Sequence, residues 1–275
     1  MQQTWLITGP PGCGKTTWIL ETLLKHGGEC AYLRLDGPSD EGLEQGHNAG
    51  IDCAWLMDQV PKLQDLSISA SASKTALPSQ DCLVLIEVQQ FQPPDQSNAG
   101  GIDLHVLKQL TSFQLKPDRI LLFGRDPELP KHDTLNFTQL EAWHLTLHGC
   151  VWDPNSLSSF WFELVNGAYG DVYRAKALMN LPDGRSFFCN WMVSQESSQF
   201  LPLEAVEPLT SRPNRISHLV VQGKALDHAG IQSTINDCLL ADDVLEMQQA
   251  QLRQQQQDLQ LCPLNLDLIC PQFQN

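Results

Sequence analysis

Apolar residues fall in short runs divided by longer polar stretches, and the rhythm changes partway along the chain. Thr4-Trp5-Leu6-Ile7-Thr8 is an apolar run that stops at Gly9, and a Gly/Pro loop follows. Beyond the loop, Trp18, Ile19, Leu20, Leu23 and Leu24 recur at helical spacing, so the opening reads strand, loop, helix. Cys30–Leu35 predicts a second strand ending at Asp36-Gly37. Cys82–Ile86 is nearly continuous in apolar residues, as a strand buried on both faces should be, and it ends in Glu87. Arg119–Phe123 predicts a fourth buried strand. Ile51–Leu66 carries a weak helical pattern interrupted at Pro61, and Ile102–Leu110 reads as helix. A short helix around Phe137–Ala142 and a strand around His144–Val151 would complete this half. Strands alternating with helices at this spacing predict an α/β fold with a mostly parallel, doubly wound sheet. Such sheets bind ligands beyond the carboxyl ends of their strands, where Gly9, Asp36, Glu87 and Phe123 are expected.

After Trp152 the pattern becomes one of alternation. Val172–Leu181 and Arg185–Ser194 are alternating segments joined by Pro182-Asp183-Gly184, a hairpin turn. Ile216–Gln222 predicts another strand and Ala229–Leu240 an amphipathic helix. The expected organisation is a nucleotide-binding domain over 1–152, a smaller α+β domain over 153–245, and a Gln-rich tail over 246–275. The tail is poor in apolar positions, which suits a solvated or partner-binding appendage. Residues 38–50, 67–79 and 89–101 are polar or small and read as loops, the first long enough to carry function.

Bulk properties narrow the partners. The formal net charge of −15 repels phosphate backbones, so no nucleic-acid partner is expected. No apolar run is long enough to span a bilayer, so no membrane partner is expected either. The first strand begins almost at once, leaving no room for a leader. Nine cysteines without paired spacing suit a reducing compartment, and the cytoplasm is the expected location.

The chemistry starts in the first loop. Gly9-Pro10-Pro11-Gly12-Cys13-Gly14-Lys15-Thr16-Thr17 matches G-x-x-x-x-G-K-[ST], the phosphate-binding P-loop. Glycines let backbone N–H groups close around an anion, and the dipole of the following helix adds partial positive charge there. Lys15 supplies charge for the β- and γ-phosphates, and the Thr16 hydroxyl suits Mg²⁺. The competing reading is a Gly/Pro turn that matches by chance; the strand before and helix after argue against it. Mg²⁺ takes only one or two carboxylates directly, and Asp36 and Glu87 are the candidates. Asp81, at the other end of its strand, is not assigned. Cys13 reads as a small residue at a variable loop position, although a thiol beside Lys15 at a helix start could also be partly ionised.

At these residues the chain resembles the CobW-type GTPases, a family linked to metal-cofactor assembly and metal homeostasis. The P-loop matches, Leu83–Glu87 resembles the family's strand ending in a metal-associated glutamate, and Asp36 falls where the family has an acid. Gly170-Asp171-Val172-Tyr173-Arg174-Ala175-Lys176 resembles the opening strand of the second domain, with its R-x-K pair. Arg212-Pro213-Asn214-Arg215 and Val220–Asp227 resemble its closing strand and helix entry. The resemblance implies GTP with Mg²⁺, slow hydrolysis at Lys15, Thr16 and Glu87, and delivery of a metal or cofactor to a client metalloprotein through the second domain. It also departs from the family in two places. The guanine-reading N-K-x-D is replaced by Phe123-Gly124-Arg125-Asp126, which keeps only the aspartate that bonds the guanine edge. Each missing contact is worth about 1.5–3 kcal/mol, so GTP and ATP both stand as ligands. The family's C-x-C-C metal motif is reduced to Cys53, with His47 nearby, too few ligands for a closed zinc site. Three readings stay open: a GTPase, a nucleotide-binding scaffold that does not hydrolyse, and a P-loop small-molecule kinase. The last needs basic residues over an acceptor pocket, and no arginine cluster is visible in the sequence.

Overall fold

The computed structural model describes residues 3–10, 12–35, 49–69, 81–89, 102–123, 126, 128–129, 141–194 and 198–261. The first half is built from β1 (Gln3–Gly9), α1 (Lys15–His26), β2 (Cys30–Leu35), α2 (Ala49–Gln59), β3 (Gln64–Asp65), α3 (Leu66–Ser69), β4 (Leu83–Gln89), α4 (Leu104–Ser112) and β5 (Arg119–Leu122). The five strands lie in the order β3-β2-β4-β1-β5, and every neighbouring pair is parallel. Alternation along each strand sorts its side chains between two cores. Ala31, Leu33 and Leu35 of β2 join Val84, Ile86 and Val88 of β4 beneath α4. Cys30 and Tyr32 join Leu83 and Leu85 on the other face, with α1 and α2. That second face, continued by period two, carries Arg34 and Glu87.

The second half contains β6 (Glu141–Thr146), α5 (Pro154–Val165), β7 (Asp171–Asn180), β8 (Ser186–Met192), β9 (Gln199–Pro202), β10 (His218–Lys224), α6 (His228–Cys238) and α7 (Asp242–Leu261). Its sheet runs β6-β10-β7-β8-β9, antiparallel throughout. The hairpin expected at Pro182-Asp183-Gly184 joins β7 to β8, with Leu181 N–H bonded to Arg185 O at 2.9 Å. Three elements differ from the sequence reading. The strand expected over His144–Val151 as part of the first sheet is Glu141–Thr146, and it pairs with β10 at the edge of the second sheet. The helix expected over Phe137–Ala142 gives way to that strand at its end, and its earlier residues lie outside the described ones. The sequence reading also passed over α5, whose start is well marked: Asp153 Oδ1 accepts Ser156 N–H at 2.8 Å and Pro154 occupies the first turn. Of the Gln-rich segment, α7 begins at Asp242 and buries Leu245 and Gln249, with Gln249 Nε2 bonded to Ser211 O at 3.2 Å.

The second sheet is covered on both faces. Ala175, Ala177, Met179, Cys189, Leu219 and Val221 pack with α5 and α6. The alternate residues Leu178, Phe188 and Val220 enter the core that holds Tyr32, Trp55 and Leu85. Phe188 stacks on Trp55 of α2 with ring centroids 4.9 Å apart and 20° between planes. Asp58 of α2 adds a polar tie by accepting the N–H groups of Glu204 and Ala205 at 2.8 and 3.0 Å. The two sheets therefore share one apolar core. Phe188→Ala should lower unfolding stability by about 3–5 kcal/mol. In a urea titration followed by Trp5 and Trp18, which lie in the first half, the midpoint should fall. An unchanged midpoint for those reporters would show that the halves unfold independently.

Candidate functional site

The P-loop leaves β1 at Gly9 and enters α1 at Lys15, and Gly14 forms the helix boundary in the left-handed conformation, φ 87°. No side chain caps this helix start, so its N–H groups point at the loop's interior. Gly12 is also left-handed, φ 80°, and a Cβ there would overlap Met192 Sδ of β8. The positive φ favours glycine at this position, and the flexible end of the Met192 side chain lies against it. The second sheet lies directly over the loop.

Beneath that sheet is a cavity of about 390 Å³. The P-loop contributes Gly12, Gly14, Lys15, Thr16 and Thr17 to its lining, and β4 contributes Glu87. Lys15 Nζ donates to Gly9 O at 2.9 Å and Pro10 O at 3.0 Å, and lies 3.9 Å from Glu87 Oε1. Glu87 lies within β4, opposite Ile7 and Arg34, with two further strand residues beyond it; the sequence reading placed it at the strand end. Its second oxygen accepts the Tyr32 hydroxyl at 2.7 Å. Burial, reinforced by Glu87, pushes the Tyr32 hydroxyl well above its ordinary pKa, so it stays a donor.

The sequence reading did not single out the acid closest to Thr16. Asp52, in the first turn of α2, accepts the Thr16 hydroxyl at 3.0 Å. Arg34 Nη1 of β2 donates to its other oxygen at 3.1 Å, and Lys176 of β7 forms a short ion pair with the first. Burial alone would raise the Asp52 pKa. Lys176 and Arg34 outweigh burial and leave it below the ordinary carboxylate value. Lys176 Nζ lies 3.5 Å from Thr16 Oγ1 and 5.0 Å from the Phe188 ring centre. Lys15, Asp52, Glu87 and Lys176 are each 6% exposed or less. Arg174, also on β7, lines the same cavity and is half-buried. Its Nη1 donates to the neutral Gln222 at 3.2 Å, while its Nε is enclosed with no hydrogen-bond partner. Desolvation lowers the pKa of both Arg174 and Lys176.

Four cations and two carboxylates thus line one cavity in a chain of net charge −15. Arg34 and Asp52 hide in sequence because each sits among apolar neighbours, whereas Arg174 and Lys176 were visible as the R-x-K pair but not as residues that face the P-loop. The available signal was weak: Asp52 lies between Ile51 and Cys53 at a helix start, and Arg174 and Lys176 are two apart on a strand. Their alternation with Ala175 and Ala177 would normally mark a solvent face. Asp126 is not among the residues lining the cavity, and its Oδ2 accepts Leu122 N–H at 2.8 Å at the end of β5. Pro11, Asp36 and His47 lie outside the described residues. Cys53 is buried, and burial with Asp65 pushes its thiol pKa up.

A P-loop on a parallel five-stranded sheet, joined to an antiparallel second domain, makes this an α/β P-loop fold. No family model and no curated protein matches the chain. Among solved structures it is similar to the Zn(II)-bound YjiA GTPase from E. coli, at 14% identity and TM-score 0.29, over 86% of this chain and 98% of that one. A Zn(II)-bound triple mutant of YjiA aligns over 86% of this chain and 99% of its own, at 14% identity and TM-score 0.31. None of the described helices is long and apolar enough to cross a membrane.

A depressed carboxylate pKa stabilises the fold above the unfolded value of ~3.9 and is lost as pH falls below it. Asp52→Asn leaves Lys176 and Arg34 buried without their anion and should cost about 3–5 kcal/mol at pH 7. The deficit should begin to shrink as pH falls through about 4 and keep shrinking below it, where the parent protein progressively loses the same contribution. Urea midpoints for both proteins across that range check this; a deficit independent of pH would show that the charge of Asp52 is not what the fold uses.

Proposed function

We propose that the chain binds a nucleoside triphosphate, GTP in the first place, with Mg²⁺, and hydrolyses it slowly as a P-loop NTPase. The observation that carries this reading is the excess of cations around the P-loop in an otherwise acidic chain. A polyanion is the ligand such a cavity favours. Lys15, at the loop's end, is the group for the β- and γ-phosphates, with the loop's N–H groups closing around them. Oxygen donors suited to Mg²⁺ share the cavity: the Thr16 hydroxyl, which donates to Asp52 and accepts from Lys176 at 3.5 Å, would turn its remaining lone pair to a hard cation, and Glu87 lies in the same lining. Thr16 and Glu87, with Asp36, would hold the ion. When bound it neutralises charge on the phosphates during in-line attack by water. Asp126 is the residue proposed to meet the guanine edge. By resemblance to the CobW-type GTPases, turnover would be coupled to metal or metal-cofactor handling, passed to a client metalloprotein by the second domain.

A second reading gains from the structure. Arg34, together with Arg174 and Lys176 of the R-x-K pair, supplies basic residues of the kind a small-molecule kinase needs, and Trp55, Phe188 and Leu201 line the same cavity. Transfer of the γ-phosphate to an acceptor instead of water would select that reading. A triphosphate that binds but is not turned over would select the scaffold.

Lys15→Ala should weaken GTP binding on the order of 10- to 150-fold, the loss of about 1.5–3 kcal/mol of charged hydrogen bonding, whereas Thr17→Ala should change it little. Calorimetric titration decides this, and equal effects would move the phosphates away from Lys15. Guanine should be preferred over adenine only modestly, because Asp126 lacks its asparagine and lysine partners. A competition titration showing a thousandfold preference for GTP would mean that other residues read the base.

A further inference from the structure

We propose that Arg174 and Lys176 bind the terminal phosphate of the nucleotide, which makes the second sheet part of the nucleotide site. The proposal rests on the nucleotide reading above and adds the residues that distinguish triphosphate from diphosphate. Its first support is position. Both side chains project from β7 into the cavity that the P-loop lines, on the face of the strand that continues to Leu178 in the shared core. Lys176 Nζ donates at 3.5 Å to the hydroxyl of Thr16, which follows Lys15, the residue that reaches the β- and γ-phosphates in this motif.

The second support is charge. Asp52 already uses one oxygen for Arg34 and the other for Lys176 and Thr16. Arg174 is left with a neutral amide, and among the described residues no carboxylate stands within ion-pair distance of it. A partly buried guanidinium with an enclosed, unpartnered Nε carries a desolvation cost that the nearby Asp52 and Glu87 charges offset only in part, since its pKa stays lowered. A purely structural ion cluster would omit this residue. A phosphate oxygen supplies the missing acceptor, and the forked guanidinium suits it.

The third support is the lid formed by β8. Met192 rests on Gly12, so the sheet bearing these cations is seated on the phosphate loop itself. Terminal phosphate contacting both the P-loop and Lys176 on β7 would add a further bridge between the two halves of the chain.

The test is calorimetry on the full chain with the non-hydrolysable triphosphate GMPPNP and with GDP, both in Mg²⁺. Arg174→Gln and Lys176→Gln should each lower GMPPNP affinity at least tenfold and GDP affinity less than threefold. Arg174→Lys and Lys176→Arg should recover most of the triphosphate preference. Lys15→Ala should weaken both ligands, which separates loss of the P-loop from loss of this discrimination. If Lys176→Gln fails to bind GDP because the Asp52 cluster has collapsed, Arg174→Gln, which breaks no ion pair, carries the test. Parent-like GMPPNP-to-GDP ratios in the Gln variants, with GDP still bound, would overturn the proposal and leave the nucleotide reading intact. Failure of the parent protein to bind either ligand would overturn both.

Discussion

The carboxylate of Asp52 is where the three working parts of the chain meet. It is buried at the start of α2, and its oxygens are taken by Thr16 from the P-loop helix, Arg34 from the parallel sheet and Lys176 from the antiparallel sheet. A charge removed from water is tolerated only when such partners surround it, so none of the three can be lost without exposing the others' cost. The position of β7 over the P-loop follows from this constraint as much as from apolar packing. The Trp55–Phe188 stack brings the surfaces together, and the ion cluster fixes which residues oppose which.

Burial on both faces explains an unusual feature of the second sheet. An antiparallel sheet commonly packs one face and wets the other, giving apolar and polar residues in alternation. Here β7 alternates, Arg174-Ala175-Lys176-Ala177-Leu178, yet the polar face is turned inward onto the P-loop half. Ordinary apolar residues complete that inward face at Leu178, Phe188 and Val220, away from the loop. The cations are confined to the part of the sheet that looks onto Gly12, Lys15 and Thr16. That confinement marks a ligand-facing surface more clearly than either residue alone.

The parallel sheet was legible because its strands are buried runs, which carry the same signal at every position. The P-loop was legible because its spacing is a backbone requirement written in glycines. What stayed hidden depends on contacts distant in sequence. Arg174 and Lys176 stand out as an R-x-K pair, but nothing local reveals that another core will cover their face or that it looks onto the P-loop. Asp52 reads as a lone acid on a weak helix, and its meaning comes from Lys176, 124 residues away. Glu141–Thr146 was placed in the wrong sheet for the same reason: a short alternating segment states its conformation but not its partner, and β10 decides it. The start of α5 belongs to a different class, because the Asp153-Pro154 signal was local and available.

Cys53, next to Asp52 on α2, shows how the chemistry of this region has been committed. It is the one cysteine left where the resemblance would place a thiolate cluster beside the nucleotide. A metal needs the thiolate, and burial beside Asp65 holds this sulfur in its protonated form. One residue earlier, Asp52 is held in the opposite state, ionised, by Arg34 and Lys176. The positive charge beside Thr16 is supplied here by side chains fixed to two sheets. A tethered ammonium differs from a metal ion in one respect that matters for function: it cannot leave. Any change in its partner is confined to the reach of its side chain from β7, which with β8 brings the second half of the chain onto the loop.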